Sequence, residues 1–269
     1  AVIYATDIAP FAGSDAWLTE FGAVLVALRR DWWMPDGRTW DGDPDSFTRL
    51  VMYEDGTKID FGIRPVTALR KACQAATLSA EFDVGYRVLV DKDGEAASLA
   101  RPTYQAHIPA RPTDLHYTTF VNNFWWNSTY AAKHLWRDDL LTARWTLDGL
   151  QQELLTMVEW WIEIGRDWSW RPGVLGKGLK KVLDPETYQE LVATHGGAEI
   201  GDVWGALFRT AAMFRKTAIK VGESLGYEYL HDLDRRVTVY LETVRQLDPT
   251  ATREDLARLL NEQYRALGQ

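Results

Sequence analysis

The stretch Tyr53-Glu-Asp-Gly-Thr-Lys-Ile-Asp-Phe61 holds the residue best placed for chemistry. An Asp55-Gly56 turn feeds a segment in which one carboxylate, Asp60, stands between Ile59 and Phe61. Side chains alternate across a strand, so Ile59, Phe61 and Ile63 can enter a core while Lys58 and Asp60 share the opposite face. A carboxylate carried by a rigid strand suits a metal ligand or a general base. The plainer reading is a hairpin with one solvated acid. A two-residue Asp-Gly turn of type I′ sets Val51 opposite Asp60 and Tyr53 opposite Lys58.

The elements around this hairpin divide the chain in two. Residues 1–115 read as an α+β domain with a mixed β-sheet. Ala1-Val-Ile-Tyr-Ala5 is an opening strand, and the start of Asp15 to Val26 has helical spacing. Residues 32–45 form a Gly/Pro/Asp-rich loop, Pro65 to Ala80 a helix and Tyr86 to Asp91 a further strand. Asp41, Asp43 and Asp45 invite a calcium-loop reading, but the loop lacks the required Gly and the bidentate Glu, so that site is rejected. Arg101 to Thr113 contains three prolines and reads as a connection. Residues 116–269 read as an all-helical bundle. Its first helix is expected to open at Asn127, Ser128 and Thr129 and run to about Leu147. Further helices follow over 150–164, 185–194, 203–225, 230–246 and 253–267.

Composition narrows the function. Of 269 residues, 38 are acids and 30 are Lys or Arg, a net charge of −8 that argues against nucleic-acid binding and agrees with a cationic ligand. No apolar run reaches the roughly 18 residues of a membrane span. The single cysteine, Cys73, excludes an intramolecular disulfide framework and suits a reducing cytoplasm. His107, His116, His134, His195 and His231 lack metal-ligand spacing. Of the 13 tryptophans, core positions account for most, and others can offer flat faces to a sugar or an adenine.

Five segments occur in order: Trp17-Leu-Thr-Glu-Phe-Gly22, the Tyr53 to Phe61 hairpin, Gly85-Tyr-Arg-Val-Leu-Val-Asp-Lys-Asp-Gly94, Asn122-Asn-Phe-Trp-Trp126 and Tyr130-Ala-Ala-Lys-His-Leu135. Together they resemble the streptomycin (aminoglycoside 6-) adenylyltransferase family of the nucleotidyltransferase superfamily, from the first residues to about Leu247. The resemblance implies a nucleotidyltransferase-like first domain, ATP as co-substrate with Mg²⁺, and an aminoglycoside such as streptomycin as acceptor. Asp60 then matches the third metal-binding carboxylate and the base. Lys133 is expected on the ATP phosphates, with Lys177 of the Gly176-Lys177-Gly178 loop as a second cation. Glu159 is a candidate for an ammonium or guanidinium group of the drug, with Asn123 and Trp126 also on the substrate. Asn123 stands where the family has Glu, replacing an acid by an amide. The family's Gly-Ser turn and Asp-x-Asp pair have no counterpart after residue 1, since Ala1 to Asp7 matches the strand that follows them. Gly13-Ser14-Asp15 is a decoy, and the expectation is that the catalytic segment precedes Ala1 in the complete protein. A related nucleotidyltransferase with another acceptor, or a non-catalytic drug- or nucleotide-binding member, remains open at this stage.

Overall fold

The computed structural model describes residues 1–29 and 46–267. Residues 32–45, with the three acids of the rejected calcium pattern, lie outside the described residues. The chain divides into two units, Ala1–Ala106 and His107 onward. The division falls inside the proline-containing Arg101 to Thr113 stretch.

In the first unit, β1 (Val2–Ala5) is followed by α1 (Ala9–Gly13), a 3-10 turn over Ala16–Phe21, and then β2 (Val24–Arg29), β3 (Phe47–Tyr53) and β4 (Lys58–Pro65). The sheet order is β1-β4-β3-β2, with β1 parallel to β4 and the other pairs antiparallel, so the sheet is mixed. One face is a core. Phe47, Val51 and Tyr53 of β3 and Phe61 and Ile63 of β4 are buried, alternating with half-buried or exposed residues. The Ala16–Phe21 turn caps this core: the Trp17 ring meets Phe61 at 5.1 Å and the Tyr53 hydroxyl donates to Leu18 O at 3.1 Å. Asp15, the acid of the decoy motif, accepts from the fully buried Arg49 at 2.7 Å and is structural.

The hairpin differs from the two-residue turn expected of Asp-Gly. Leu50, not Val51, lies opposite Asp60, and Met52 lies opposite Lys58. The loop has three residues. Gly56 N donates to Tyr53 O at 3.0 Å, Gly56 has φ +83°, and Tyr53 N donates to Thr57 O at 2.9 Å. This is a type I turn closed by a left-handed glycine, the other common solution for a short hairpin. Asp55 reinforces it by accepting from Thr57 N at 2.8 Å.

β4 leads into α2 (Val66–Gln74), which stops short of the expected Ala80; helix resumes as α3 (Ala80–Asp83). The expected strand over Tyr86 to Asp91 is absent. Val88, Leu89 and Val90 are all exposed there, so their β-prone side chains have no sheet face to cover. The segment is held from its ends. The buried Asp83 carboxylate accepts from Thr103 N at 2.6 Å, Thr103 Oγ1 at 2.8 Å, Gln105 N at 3.1 Å and Ala106 N at 3.0 Å.

The second unit consists of α4 (Asp114–Trp136), α5 (Leu140–Ile164), α6 (Pro185–Ala193), α7 (Ile200–Leu225), α8 (His231–Gln246) and α9 (Arg253–Leu267). α4 packs on α5, α7 and α8, α5 packs on α7, and α9 packs on α8. The first helix does not open at Asn127. Thr113 is its N-cap, accepting from His116 N at 3.2 Å, and α4 runs unbroken for 23 residues. Ser128 and Thr129 return their hydroxyl protons to Phe124 O (2.8 Å) and Trp126 O (2.7 Å), which lets these cap-prone residues sit inside a helix. The chain breaks instead at residues 137–139, where Asp138 takes φ +62°.

α4 is fixed to the core by two adjacent aromatics. Phe124 stacks on Phe214 of α7 with ring centres 3.6 Å apart. Trp125 Nε1 donates to the Tyr229 hydroxyl at 3.1 Å, Tyr229 donates to Asp234 Oδ2 at 2.8 Å, and Arg215 Nε donates to the same carboxylate at 2.6 Å.

Two outcomes follow from these anchors. Tyr229→Phe leaves the buried Trp125 indole without its acceptor and removes a donor from Asp234, and should lower unfolding free energy by about 1–3 kcal/mol in urea titrations. The amides that hold the Asp83 carboxylate, Thr103 first, keep its folded pKa below the ordinary value. Their stabilisation is therefore complete above the unfolded carboxylate value near 3.9 and disappears as pH falls through the lower folded value. Hydrogen-exchange protection at Thr103, Gln105 and Ala106 should follow that course, and Asp83→Ala should abolish it at every pH.

Candidate functional site

Asp60 lies on the face of β4 opposite the core. Its side chain is 50 % exposed, and Lys58 Nζ contacts Oδ2 at 3.0 Å from the same face, two residues away. Leu50 faces it from β3. Further along the face, Arg64 pairs with Glu81 at 2.7 Å and lies opposite Tyr4 of β1. β1 runs parallel to β4 with Val2 opposite Gly62, and Ala1 O accepts from Gly62 N at 2.8 Å. The line of β1 therefore points back along β4 at Asp60.

Magnesium needs near-octahedral oxygen ligation. Among the described residues there is no group of three or more His, Cys, Asp or Glu able to hold a metal ion. Asp60 supplies one carboxylate, already paired with Lys58, so the described residues do not by themselves form a magnesium site.

The other expected site residues lie in the second unit. Asn123, Trp126 and Lys133 share α4, and Trp126 is 61 % exposed although Phe124 and Trp125 beside it are fully buried. A helix turns about 100° per residue, so this burial pattern directs Asn123 and Trp126 outward. Trp126 and Tyr130, one turn apart, have ring centres 5.9 Å apart, and Lys133 Nζ sits 4.3 Å over the Tyr130 ring. Lys133 lies in the last turn of α4, where the helix presents carbonyls. The helix begins at Asp114, so Lys133 does not stand in the opening turns of a helix starting at Asn127, where the N-terminal dipole would help hold an anion.

Contacts between α4 and α5 set an edge. Phe120 meets Trp160 at 4.9 Å, and Asn127 Nδ2 donates to Glu153 Oε1 at 3.0 Å. Asn123 is three residues from Phe120 and four from Asn127, so it belongs to that same edge. The edge carries amides from α4, an acid from α5 and the exposed Trp126 ring nearby, a combination suited to a polyhydroxylated cationic ligand. Sequence alone does not single out Asn127 and Glu153, because Asn127 has the composition of a helix cap. Read as one helix, Asn123 and Asn127 are a one-turn polar pair.

Glu159 is half-buried on α5, one turn before Glu163. Burial, and then the Glu163 charge, raises its pKa. Glu163 is fully buried and anchors the loop after α5: its Oε2 accepts from Trp170 N at 3.2 Å, and its carbonyl accepts from Arg166 N and Trp168 N. Lys177 is exposed in the next loop, between Gly176 (φ +77°) and Gly178 (φ +95°). Asp60 stands in one unit and these residues in the other.

Comparison with known proteins identifies the family. The family model described as streptomycin adenylyltransferase matches residues 1–244. The chain is 29 % identical over 248 residues to an aminoglycoside 6-adenylyltransferase of Bacillus subtilis (strain 168), covering 90 % of this chain and 82 % of that protein. It is 26 % identical over 227 residues to one of Campylobacter jejuni, covering 84 % and 75 %. A crystal structure of an aminoglycoside 6-adenyltransferase from Bacillus subtilis superposes with a TM-score of 0.50 at 27 % identity, covering 91 % of this chain and 87 % of that one. The α+β unit with its mixed sheet and the helical unit after it are thus a nucleotidyltransferase-like fold, and the chain belongs to the streptomycin adenylyltransferase family.

Proposed function

We propose that this protein transfers AMP from ATP to a hydroxyl of an aminoglycoside, with streptomycin as the first acceptor to test. The observation that carries the reading is the family match across residues 1–244, which includes an exposed carboxylate, Asp60, on a rigid strand face. In the reaction the acceptor hydroxyl oxygen attacks the α-phosphorus of ATP. The bond from that phosphorus to the bridging oxygen breaks, pyrophosphate leaves, and the hydroxyl proton passes to Asp60. Lys133 and Lys177 are proposed to meet phosphate oxygens. Asn123, Trp126 and Glu159 are proposed on the acceptor, the ring against a sugar face and the acid against a cation. Magnesium is the expected companion of the triphosphate; bound there it would neutralise phosphate charge, and Asp60 would supply one of its oxygen donors.

The net charge of −8 favours encounter with a polycation. Among the described residues no helix is long and apolar enough to cross a membrane. We place the activity in the cytoplasm, where ATP is available. Attaching an anionic AMP to the drug would alter its size and charge, and resistance would follow.

The test is pyrophosphate release with ATP, Mg²⁺ and streptomycin against a control without acceptor. Streptomycin-dependent release is expected, and its absence with every aminoglycoside tried would overturn the reading. Asp60→Asn should lower turnover roughly 10²–10⁴-fold with an unchanged melting temperature, as loss of a general base does. Trp126→Ala should raise the streptomycin KM while shifting stability by no more than about 0.5 kcal/mol, because the ring is largely in solvent.

A further inference from the structure

Gly62 lies in the middle of β4, paired with Val2 of β1 on one side and Thr48 of β3 on the other. Glycine inside a strand weakens it, through lost entropy and a missing side chain, so its presence calls for a reason. The usual structural reasons are absent. Its backbone does not take the left-handed conformation that favours glycine, unlike Gly56 in the preceding turn. It marks no bulge, since the pairing runs in unbroken register from Phe47 opposite Ile63 to Arg49 opposite Phe61. Packing does not demand it either. Among the described residues, a methyl group there would meet Val2 Cγ2 at 3.8 Å and Ala1 O at 3.9 Å, ordinary contact distances. The remaining use of a strand glycine is to let a ligand come close to the backbone.

The neighbours of Gly62 narrow the ligand. Strand alternation puts Lys58, Asp60, Gly62 and Arg64 on the outer face of β4. Gly62 is therefore about 7 Å along the strand from Asp60, and alone in that row it carries no side chain. Lys58 contacts Asp60 from the other direction, and Arg64 is engaged by Glu81. The charges flanking the gap are thus already paired, and its floor is the neutral row Val2, Gly62 and Thr48. A triphosphate would call for cations at that floor. A ring carrying hydroxyls does not: its carbon–hydrogen face can lie on the row while one hydroxyl reaches the half-exposed Asp60.

We propose that Gly62 is a specificity-determining residue, whose missing side chain is the space where the acceptor ring bearing the attacked hydroxyl settles beside Asp60. This rests on the reading of the protein as an aminoglycoside adenylyltransferase with Asp60 as the base. Gly62 acts by leaving room, and a larger residue would lift the ring away from the carboxylate.

Gly62→Ala and Gly62→Val form the test, because each adds bulk without a polar group and both suit a strand at least as well as glycine. The melting temperature should hold or rise in both. Streptomycin affinity by calorimetry should fall in order of size, severalfold for Ala and roughly tenfold to a hundredfold for Val, the range of overpacking a filled site. Affinity for a non-hydrolysable ATP analogue should hold. Equal streptomycin binding by Gly62→Val and the wild type overturns the inference and leaves the functional reading standing. So does loss of the ATP analogue with streptomycin retained, which assigns the space to the nucleotide. A lowered melting temperature with parallel loss of both ligands also overturns it, marking a structural role. A wild type that binds no aminoglycoside and releases no pyrophosphate with any overturns both.

Discussion

The rotation of α4 about its own axis is the constraint on which the helical unit depends. Phe124 and Trp125 are consecutive and both fully buried, one stacked on Phe214 and the other hydrogen-bonded to Tyr229. Two neighbouring side chains on a helix span about 100°, so two fixed anchors leave the helix no freedom to turn. Asn123 and Trp126, on either side of that pair, are then forced outward. The Asn-Asn-Phe-Trp-Trp motif is thus a core anchor and a surface at once, and neither can change without the other. The Tyr229–Asp234–Arg215 arrangement reaches the same surface from beneath. Arg215 of α7 pairs directly with Asp234 of α8 and lies 5.3 Å over the Trp125 ring of α4, so three helices meet at this point.

The sheet works by a different rule. Asp60 is outward because Phe61 and Ile63 are inward, and a period of two leaves no third choice. That much was legible from Ile59-Asp-Phe61 alone. The partner across the strand was not, because Asp-Gly serves two hairpin geometries that differ by one residue in the loop. The backbone bonds from Gly56 N to Tyr53 O and from Tyr53 N to Thr57 O distinguish them.

The other misreadings share a cause. Asn127, Ser128 and Thr129 are cap-forming types, and nothing local announces that Ser128 and Thr129 return their protons to carbonyls one turn earlier. The apolar run at Val88–Val90 has strand composition, yet composition cannot say whether a sheet edge exists to receive it. Glu153 was invisible for a further reason: its place at the α4 edge comes from Asn127 on another helix, 26 positions away. Segments whose state is decided by their own periodicity, such as α6 to α9, were read closely from sequence. Segments decided by a tertiary partner were not.

The three-residue loop at Glu54–Gly56 also limits how the gene can vary. Most surface loops accept an extra residue at little expense, and a turn far from any ligand would seem an ideal place for one. Here the loop length sets which residue of β4 meets which residue of β3. A single inserted or deleted codon that shifted the pairing by one would carry Asp60 into the aromatic core and turn Phe61 toward solvent. Compensated double changes preserve the alternation, whereas single ones do not. Length variation among descendants of this protein should therefore be purged from this turn more strictly than amino-acid substitution.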